Sequence, residues 1–153
     1  MNREKQIQAE TEFQKYLDKH KIPFWYIEQN FTTFSTALKE LNIQRPDYVL
    51  FIKNIGLIFI DVEHNVPLEK YHKFCISESE TYRYNNLKKY FNIEVWYALS
   101  NEKIHYTTWY LINITKVLSM KNFLIKNAHY FSLPIEEFKQ ISTNEKITKI
   151  FLE

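Results

Sequence analysis

The sequence predicts an α/β protein in which a central mixed sheet of about five strands is flanked by helices. Apolar residues recur at helical spacing over residues 3–19 and 78–91, and short runs rich in β-branched and aromatic residues lie between and after these two segments. A strand–helix–strand order over residues 57–99 predicts a parallel pair, whereas a tight hairpin before it predicts an antiparallel pair. The sheet is therefore expected to be mixed.

Composition limits the class of protein. The 153 residues suit one domain, so we expect residues 1–153 to form a single unit, and 45% hydrophobic residues are enough for a core. The formal net charge of +2 neither requires nor excludes a polyanionic partner. No run approaches the roughly eighteen apolar residues of a membrane span, and the first residues do not form a secretory signal. We expect a cytoplasmic protein without a membrane partner.

The first elements follow from apolar spacing and from proline. A helix is predicted over residues 3–19, with Glu10 at the edge of its apolar stripe. That stripe consists of Ala9, Phe13, Tyr16 and Leu17. Pro23 ends the helical region, residues 24–27 are predicted to form a strand, and residues 33–41 a short helix or irregular segment.

Two strongly apolar runs, residues 48–52 and 57–60, are too short for typical helices and are predicted to be strands. Asn54 and Gly56 lie between them, and these residue types adopt a positive φ with the smallest energetic penalty. Gly56 is the single glycine of the chain. The two strands are therefore predicted to form an antiparallel hairpin.

Three acidic residues lie at the ends of this hairpin. Asp47 precedes its first strand, while Asp61 and Glu63 end the second and point to the same face because side chains alternate along a strand. Clustered carboxylates repel one another unless a cation neutralises them, and hard divalent cations such as Mg²⁺ prefer oxygen ligands. The pattern favours a metal site over the alternative of ordinary solvated residues at a loop entry.

The second half of the hairpin leads through a polar link at residues 64–73 to a capping box at residues 77–80, which begins the helix over 78–91. One face of this helix carries Glu80, Arg83, Tyr84, Leu87 and Phe91. A charge on a packing face needs a partner. The capping box accounts for Glu80, and Arg83 is a candidate for contacting a phosphate, with a structural salt bridge as the alternative.

Two further aromatic strands are predicted, over residues 93–99 and 105–111, the former central because it is apolar on both faces. Residues 114–131 suggest an amphipathic segment. Pro134 predicts a last short helix over residues 135–139, and residues 143–153 are expected to form a tail packed on the surface.

Several chemistries are excluded or disfavoured. A single glycine cannot build a phosphate-binding loop or a nucleophile elbow, and the histidines lack the spacing of a zinc site. Tryptophans 25, 96 and 109 could stack on unpaired bases, although aromatic residues in a strand-rich domain are more often core.

Pro46-Asp47 followed by Asp61-Val62-Glu63 resembles the motif of the PD-(D/E)XK nuclease superfamily, and the order of elements over about residues 5–112 is similar. The resemblance implies a restriction-endonuclease-like core in which Asp47 and Asp61 bind a divalent metal that activates water. Glu10, with apolar residues three and seven positions later, resembles the family's metal-supporting glutamate. The usual lysine position holds Glu63, as in some active members.

The resemblance implies a Mg²⁺- or Mn²⁺-dependent endonuclease that hydrolyses nucleic acid, with DNA favoured over RNA and a homodimer as a natural way to cut two strands. Asp47, Asp61, Glu63 and Glu10 would be the metal ligands, with Glu63 as a further ligand or a base, and Arg83 would steady the phosphate. Two alternatives stay open: an inactive nuclease fold that binds nucleic acid or protein, and a structural protein in which the acids are incidental.

Overall fold

The computed structural model describes residues 2–120, 122–125 and 128–152. The helices are α1 (Arg3–Lys19), α2 (Thr36–Glu40), α3 (Glu78–Phe91), α4 (Ile114–Leu118) and α5 (Thr148–Phe151). The strands are β1 (Phe24–Tyr26), β2 (Tyr48–Ile52), β3 (Gly56–His64), β4 (Lys73–Ser77), β5 (Val95–Ser100), β6 (Thr108–Asn113), β7 (Asn122–Ile125), β8 (Ala128–Pro134) and β9 (Lys139–Ser142). None of the described helices is long and apolar enough to cross a membrane.

The main sheet has six strands in the order β1-β2-β3-β5-β6-β9. Strands β3 and β5 are parallel, and the helix α3 lies between them in sequence. The other neighbours in this sheet are antiparallel. The predicted mixed sheet is therefore confirmed, with six strands where about five were expected.

The predicted hairpin is confirmed, and its register follows from its turn. Tyr48 pairs with Ile60 and Ile52 pairs with Gly56. The turn has φ of 72° at Asn54 and 117° at Gly56, the positive values that these two residue types tolerate best. Strand β3 continues to His64, so the acids after its apolar run lie within the strand and are not in a loop.

Each face of the main sheet carries its own apolar core. On one face, α1 packs through Phe13 and Leu17 against Ile60 and Trp109. The ring centres of Phe13 and Trp109 are 5.0 Å apart. On the other face, α3, α4 and a second sheet enclose a cluster that includes Tyr84. The sheet thus separates α1 from α3, and only its ends and edges are accessible to both helices.

The second sheet was not predicted. It has the order β4-β8-β7, and β4 occupies the residues that follow the predicted polar link. Phe74 and Ile76 are buried and alternate with less buried neighbours, so β4 does carry the strand periodicity. The amphipathic segment predicted over 114–131 divides into α4, β7 and the start of β8, and its residues 121, 126 and 127 lie outside the described part of the chain.

The short helix predicted over residues 135–139 is confirmed only over its first three residues. A single 3₁₀ turn, Ile135–Glu137, leads into β9, which pairs with the edge of β6. Backbone pairing with β6 overrides the weak helical signal after Pro134. The tail is also more than a surface segment, because Ile147 and Ile150 are buried in the core beside α1.

The packing face of α3 differs from the predicted one at two positions. Phe91 is exposed, because it lies in the last turn before the left-handed cap residue Asn92. Thr81 is buried instead, and its hydroxyl donates to the carbonyl of Ser77 at 2.7 Å. Satisfying this hydroxyl allows a polar side chain to lie inside the core.

Candidate active site

The hairpin brings Asp47 and Asp61 together at one end of the sheet. The amide of Asp47 donates to the carbonyl of Ile60 at 3.0 Å, which continues the β2–β3 pairing by one residue. Oδ2 of Asp47 accepts from the amide of Val62 at 2.8 Å. Both aspartates are only 8% exposed. Two carboxylates are therefore held at the buried junction that the sequence predicts.

Asp61 is also held by α3. The hydroxyl of Tyr84 donates to Oδ1 of Asp61 at 2.5 Å, and it lies 3.3 Å from the carbonyl of Arg45. Tyr84 is almost fully buried. The sequence places Tyr84 on the packing face of its helix but does not reveal this hydrogen bond, because the partner lies 23 residues earlier in the chain.

Glu63 lies two residues beyond Asp61 on the same face of β3 and is 7% exposed. Its partner in the neighbouring parallel strand is Leu99. The side-chain amide of Asn65 interacts with Glu63 and also donates to the carbonyl of Cys75 at 3.0 Å. The Glu63 side chain is thus directed into the protein.

Glu10 reaches the site from α1 and is linked to β3 by Gln6. The side-chain nitrogen of Gln6 donates to the carbonyl of Val62 at 2.6 Å and to Oε2 of Glu10 at 3.3 Å. Its side-chain oxygen accepts from the amide of His64 at 3.0 Å. Gln6 therefore positions the glutamate against the acidic strand, and sequence reasoning missed this residue.

Glu80 is a fifth carboxylate at the site. Its backbone amide donates to the side-chain oxygen of Ser77 at 3.3 Å, which confirms the serine half of the predicted capping box. Its side chain nevertheless lines the same cavity as the other acids. The helical wheel placed Glu80 on the packing face with Arg83, and this was the available signal for a role beyond capping.

The five carboxylates line one cavity of about 550 Å³ between α1 and the end of the sheet. Its acidic lining residues are Glu10, Asp47, Asp61, Glu63 and Glu80. Among the described lining residues Arg3 is the single basic one. In the described part of the chain, none of the five acids forms an ion pair with a lysine, arginine or histidine. The cavity therefore gathers five acids against one lining arginine, while the charge of Arg83 acts on Glu80.

Burial and mutual repulsion raise the pKa of these acids. Burial, followed by the charge of Glu10, raises the pKa of Asp47 to about 7. Burial, followed by the charge of Glu80, raises the pKa of Glu63 to about 8. The pKa of Asp61 is also well above its usual range, because of burial and then the charge of Asp47. Carboxylates that are ionised only with difficulty are typical of sites completed by a cation.

The donor set fits a hard divalent cation, since it consists of carboxylate oxygens. Among the described residues, no three acidic, histidine or cysteine side chains are arranged to enclose a metal ion. Mg²⁺ commonly takes only one or two protein carboxylates and completes its shell with water and substrate phosphate. Asp47 and Asp61, which are close enough to interact with each other, suit that partial shell.

Arg83 lies three residues beyond Glu80 on α3 but does not line the cavity. Its Nε donates to Oε1 of Gln44 at 2.9 Å. The structure therefore brings four of the five predicted site residues together and leaves Arg83 next to them, hydrogen-bonded to the segment that precedes β2.

No protein-family model matches the sequence, and no curated protein matches it. The structure does match that of Hjc, a Holliday junction resolvase from the archaeal hyperthermophile Archaeoglobus fulgidus. The TM-score is 0.55 at 13% sequence identity, and the match covers 86% of this chain and 90% of that chain. The fold is restriction-endonuclease-like. This restriction-endonuclease-like fold confirms the predicted fold class.

Proposed function

We propose that this protein is a metal-dependent nuclease that hydrolyses phosphodiester bonds in DNA as an endonuclease. The observation that carries the proposal is the cavity of five carboxylates without an ion pair, at the position that the motif predicts. The likeness of the fold to that of a Holliday junction resolvase supports the same class of reaction.

Asp47 and Asp61 would hold Mg²⁺ or Mn²⁺, with Glu10 and Glu63 as further ligands. When bound, such a cation polarises a phosphate and lowers the pKa of a bound water. The chain's own contribution is to fix the ligands: Val62 donates to Asp47, and Tyr84 donates to Asp61. Ligands held by such partners lose little freedom when a cation and substrate bind.

Glu63 replaces the family's lysine and would serve as a further ligand or as the base that accepts a proton from water. Arg83 would steady a phosphate next to the bond that is cut. Its guanidinium already donates through Nε to Gln44, and a fork geometry leaves other N–H groups for an anion. Both roles are part of the proposal.

A second candidate function is DNA binding without hydrolysis. It is favoured by Glu63 at the lysine position and by the finding that no three ligating side chains enclose a metal ion among the described residues. The two functions differ in whether a phosphodiester bond is broken, and one assay separates them.

The test is cleavage of supercoiled plasmid in Mg²⁺ or Mn²⁺ by the wild-type protein and by Asp47→Ala and Asp61→Ala. Glu40→Ala, which removes an exposed acid from α2, is the matched control. Nicking by the wild type and the control, lost in both site variants, supports the nuclease. Salt-sensitive DNA binding without nicking supports the second candidate, and the absence of both overturns the two.

A homodimer is a natural way to cut both strands of a duplex, because each copy of the site can act on one strand, so we expect a homodimer on DNA. Sedimentation of the protein with and without a duplex oligonucleotide measures this directly. A monomer that releases only nicked product would contradict the expectation.

A further inference from the structure

The stretch that begins with β1 carries exposed aromatic side chains, and part of it lines the acidic cavity. Trp25, Tyr26 and Phe31 are 68%, 48% and 73% exposed, whereas Trp109, which lies in the main core, is fully buried. Tyr26 and Gln29 both line the cavity. Through Tyr26 and Gln29 this stretch therefore forms part of the cavity wall, and its aromatic side chains stay about half or more exposed.

Tyr26 and Trp25 lie on opposite faces of the sheet. Tyr26 pairs with Tyr48, another lining residue, and their ring centres are 5.5 Å apart. The ring of Trp25 packs 4.8 Å from that of Phe51, since successive side chains of a strand alternate. Tyr26 thus belongs to the side of the cavity and Trp25 to the side away from it.

The loop that carries Phe31 is held in place by hydrogen bonds made by Arg45 and Asn30. The guanidinium of Arg45 donates, at 2.8–2.9 Å, to three consecutive carbonyls, those of Glu28, Gln29 and Asn30. Side-chain Oδ1 of Asn30 accepts from the amide of Thr32 at 2.9 Å and begins the turn that contains Phe31. A ring held on a braced loop binds a flat partner with less loss of entropy than a ring on a mobile one.

A positive charge accompanies this ring. The ammonium group of Lys39 lies 3.6 Å from the centre of the Phe31 ring. The ammonium group lies over one face of the ring, so a base would stack on the other face. A ring with a cation next to it matches the chemistry of a nucleotide, in which a flat base is joined to a phosphate. The cation is also of the sign needed to hold a phosphate near a cavity lined by acids.

We propose that Tyr26 and Phe31, called here the aromatic ledge, stack on unpaired bases of single-stranded DNA next to the site of cleavage. Bases in a duplex have their faces covered by their neighbours, so an exposed ring beside the cavity favours a strand whose bases are free. This inference rests on the proposed function and names its substrate class as DNA with an unpaired segment.

The test measures binding of a labelled single-stranded oligonucleotide and of the matching duplex by fluorescence anisotropy, in an Asp61→Asn background so that the probes stay intact. Tyr26→Ala and Phe31→Ala should each weaken single-strand binding about tenfold, while duplex binding changes less than twofold. Tyr26→Phe should keep the affinity and Phe31→Leu should lose it, because a ring is required and an apolar side chain alone is not sufficient.

Trp25→Ala is the matched control, since it removes an exposed aromatic side chain from the sheet face opposite to that of Tyr26. Its single-strand affinity should stay within about twofold of the parent. Unchanged single-strand binding by both Tyr26→Ala and Phe31→Ala would contradict the proposed role of the aromatic ledge. Equal losses of affinity for the single strand and for the duplex would contradict it as well. Plasmid cleavage by the wild type is measured separately. Failure of the base-stacking proposal and failure of the nuclease proposal therefore give different results.

Discussion

The hydroxyl of Tyr84 donates a 2.5 Å hydrogen bond to Oδ1 of Asp61, joining α3 to β3 inside the core. This contact occupies one carboxylate oxygen and fixes the orientation of the other. Hydrogen bonds to ligating carboxylates commonly affect metal affinity as strongly as some ligands do. The tyrosine thus connects the packing of α3 to the geometry of the acidic cavity.

Tyr84→Phe should weaken Mn²⁺ binding about tenfold while keeping the fold, because it removes the donor to Asp61 but not the ring. Isothermal titration calorimetry with Mn²⁺ measures the change. Tyr97→Phe is the matched control: Tyr97 is also buried, but its hydroxyl is hydrogen-bonded to Thr81 and not to an acid of the cavity. Equal losses in the two variants would contradict a specific role for Tyr84.

Neutralising a buried acid should stabilise the metal-free protein. Asp47→Asn keeps an oxygen that accepts from Val62 but removes one negative charge from the cavity. In EDTA at pH 8 we expect the melting temperature to rise by a few degrees, since about 1 kcal/mol corresponds to about 2–4 °C at this size. Differential scanning calorimetry measures it, with Glu40→Gln as the exposed control. A lower melting temperature for Asp47→Asn would refute the prediction.

The stability of the metal-free protein should fall as pH rises. The folded-state pKa is about 7 for Asp47 and about 8 for Glu63, above their ordinary values of 3.8 and 4.5. At a pH between the ordinary pKa and the folded-state pKa of each acid, the folded state binds more protons than the unfolded state. The contribution of these two acids to the stability of the folded protein is therefore fully present below about pH 4. It is lost as the pH rises through their two folded-state pKa values.

Thermal melts in EDTA from pH 5 to pH 9 measure this dependence. The melting temperature of the wild type should fall relative to that of the double variant Asp47→Asn/Glu63→Gln, and excess Mg²⁺ should remove most of the difference at pH 8. Parallel pH profiles for the two proteins would show that these acids do not titrate in this range.

Gln6→Ala should destabilise the contact between α1 and the acidic strand. It removes three hydrogen bonds, to Val62, His64 and Glu10, and leaves partly buried backbone groups without that partner. We expect a loss of about 1–3 kcal/mol in the free energy of unfolding, measured by urea denaturation. Gln8→Ala, at an exposed position of the same helix, should change stability by less than about 0.5 kcal/mol. A midpoint for Gln6→Ala equal to that of Gln8→Ala would argue against this link.

The placement of Asp47 and Asp61 could be predicted because the turn at Gly56 sets the hairpin register, and register decides which residues meet. Glu10 could be placed because its helix has a clear apolar stripe. The role of Glu80 was hidden by the capping box, which explains a glutamate at that position from local contacts alone. Gln6 was missed because its partner Val62 lies 56 residues away.

Strands β9 and β4 were missed for a different reason. Strand β9 contains one buried apolar residue, Ile141, and exists because it pairs with β6. A strand that is stabilised mainly by backbone hydrogen bonds to a neighbouring strand needs little alternation of apolar and polar residues in its own sequence. Strand β4 did carry alternation at Phe74 and Ile76, but the helix that follows it directly left no turn residues to mark its end.

The acids of the cavity come from both sides of the main sheet, with Glu10 on α1 and Glu80 on α3. The hairpin alone supplies Asp47, Asp61 and Glu63, whereas Glu10 and Glu80 join them only when α1 and α3 both pack on the sheet. Under the proposed nuclease function, the complete set of acids would exist only while both helices are docked on the sheet, so cleavage of DNA would depend on the folded state of both layers.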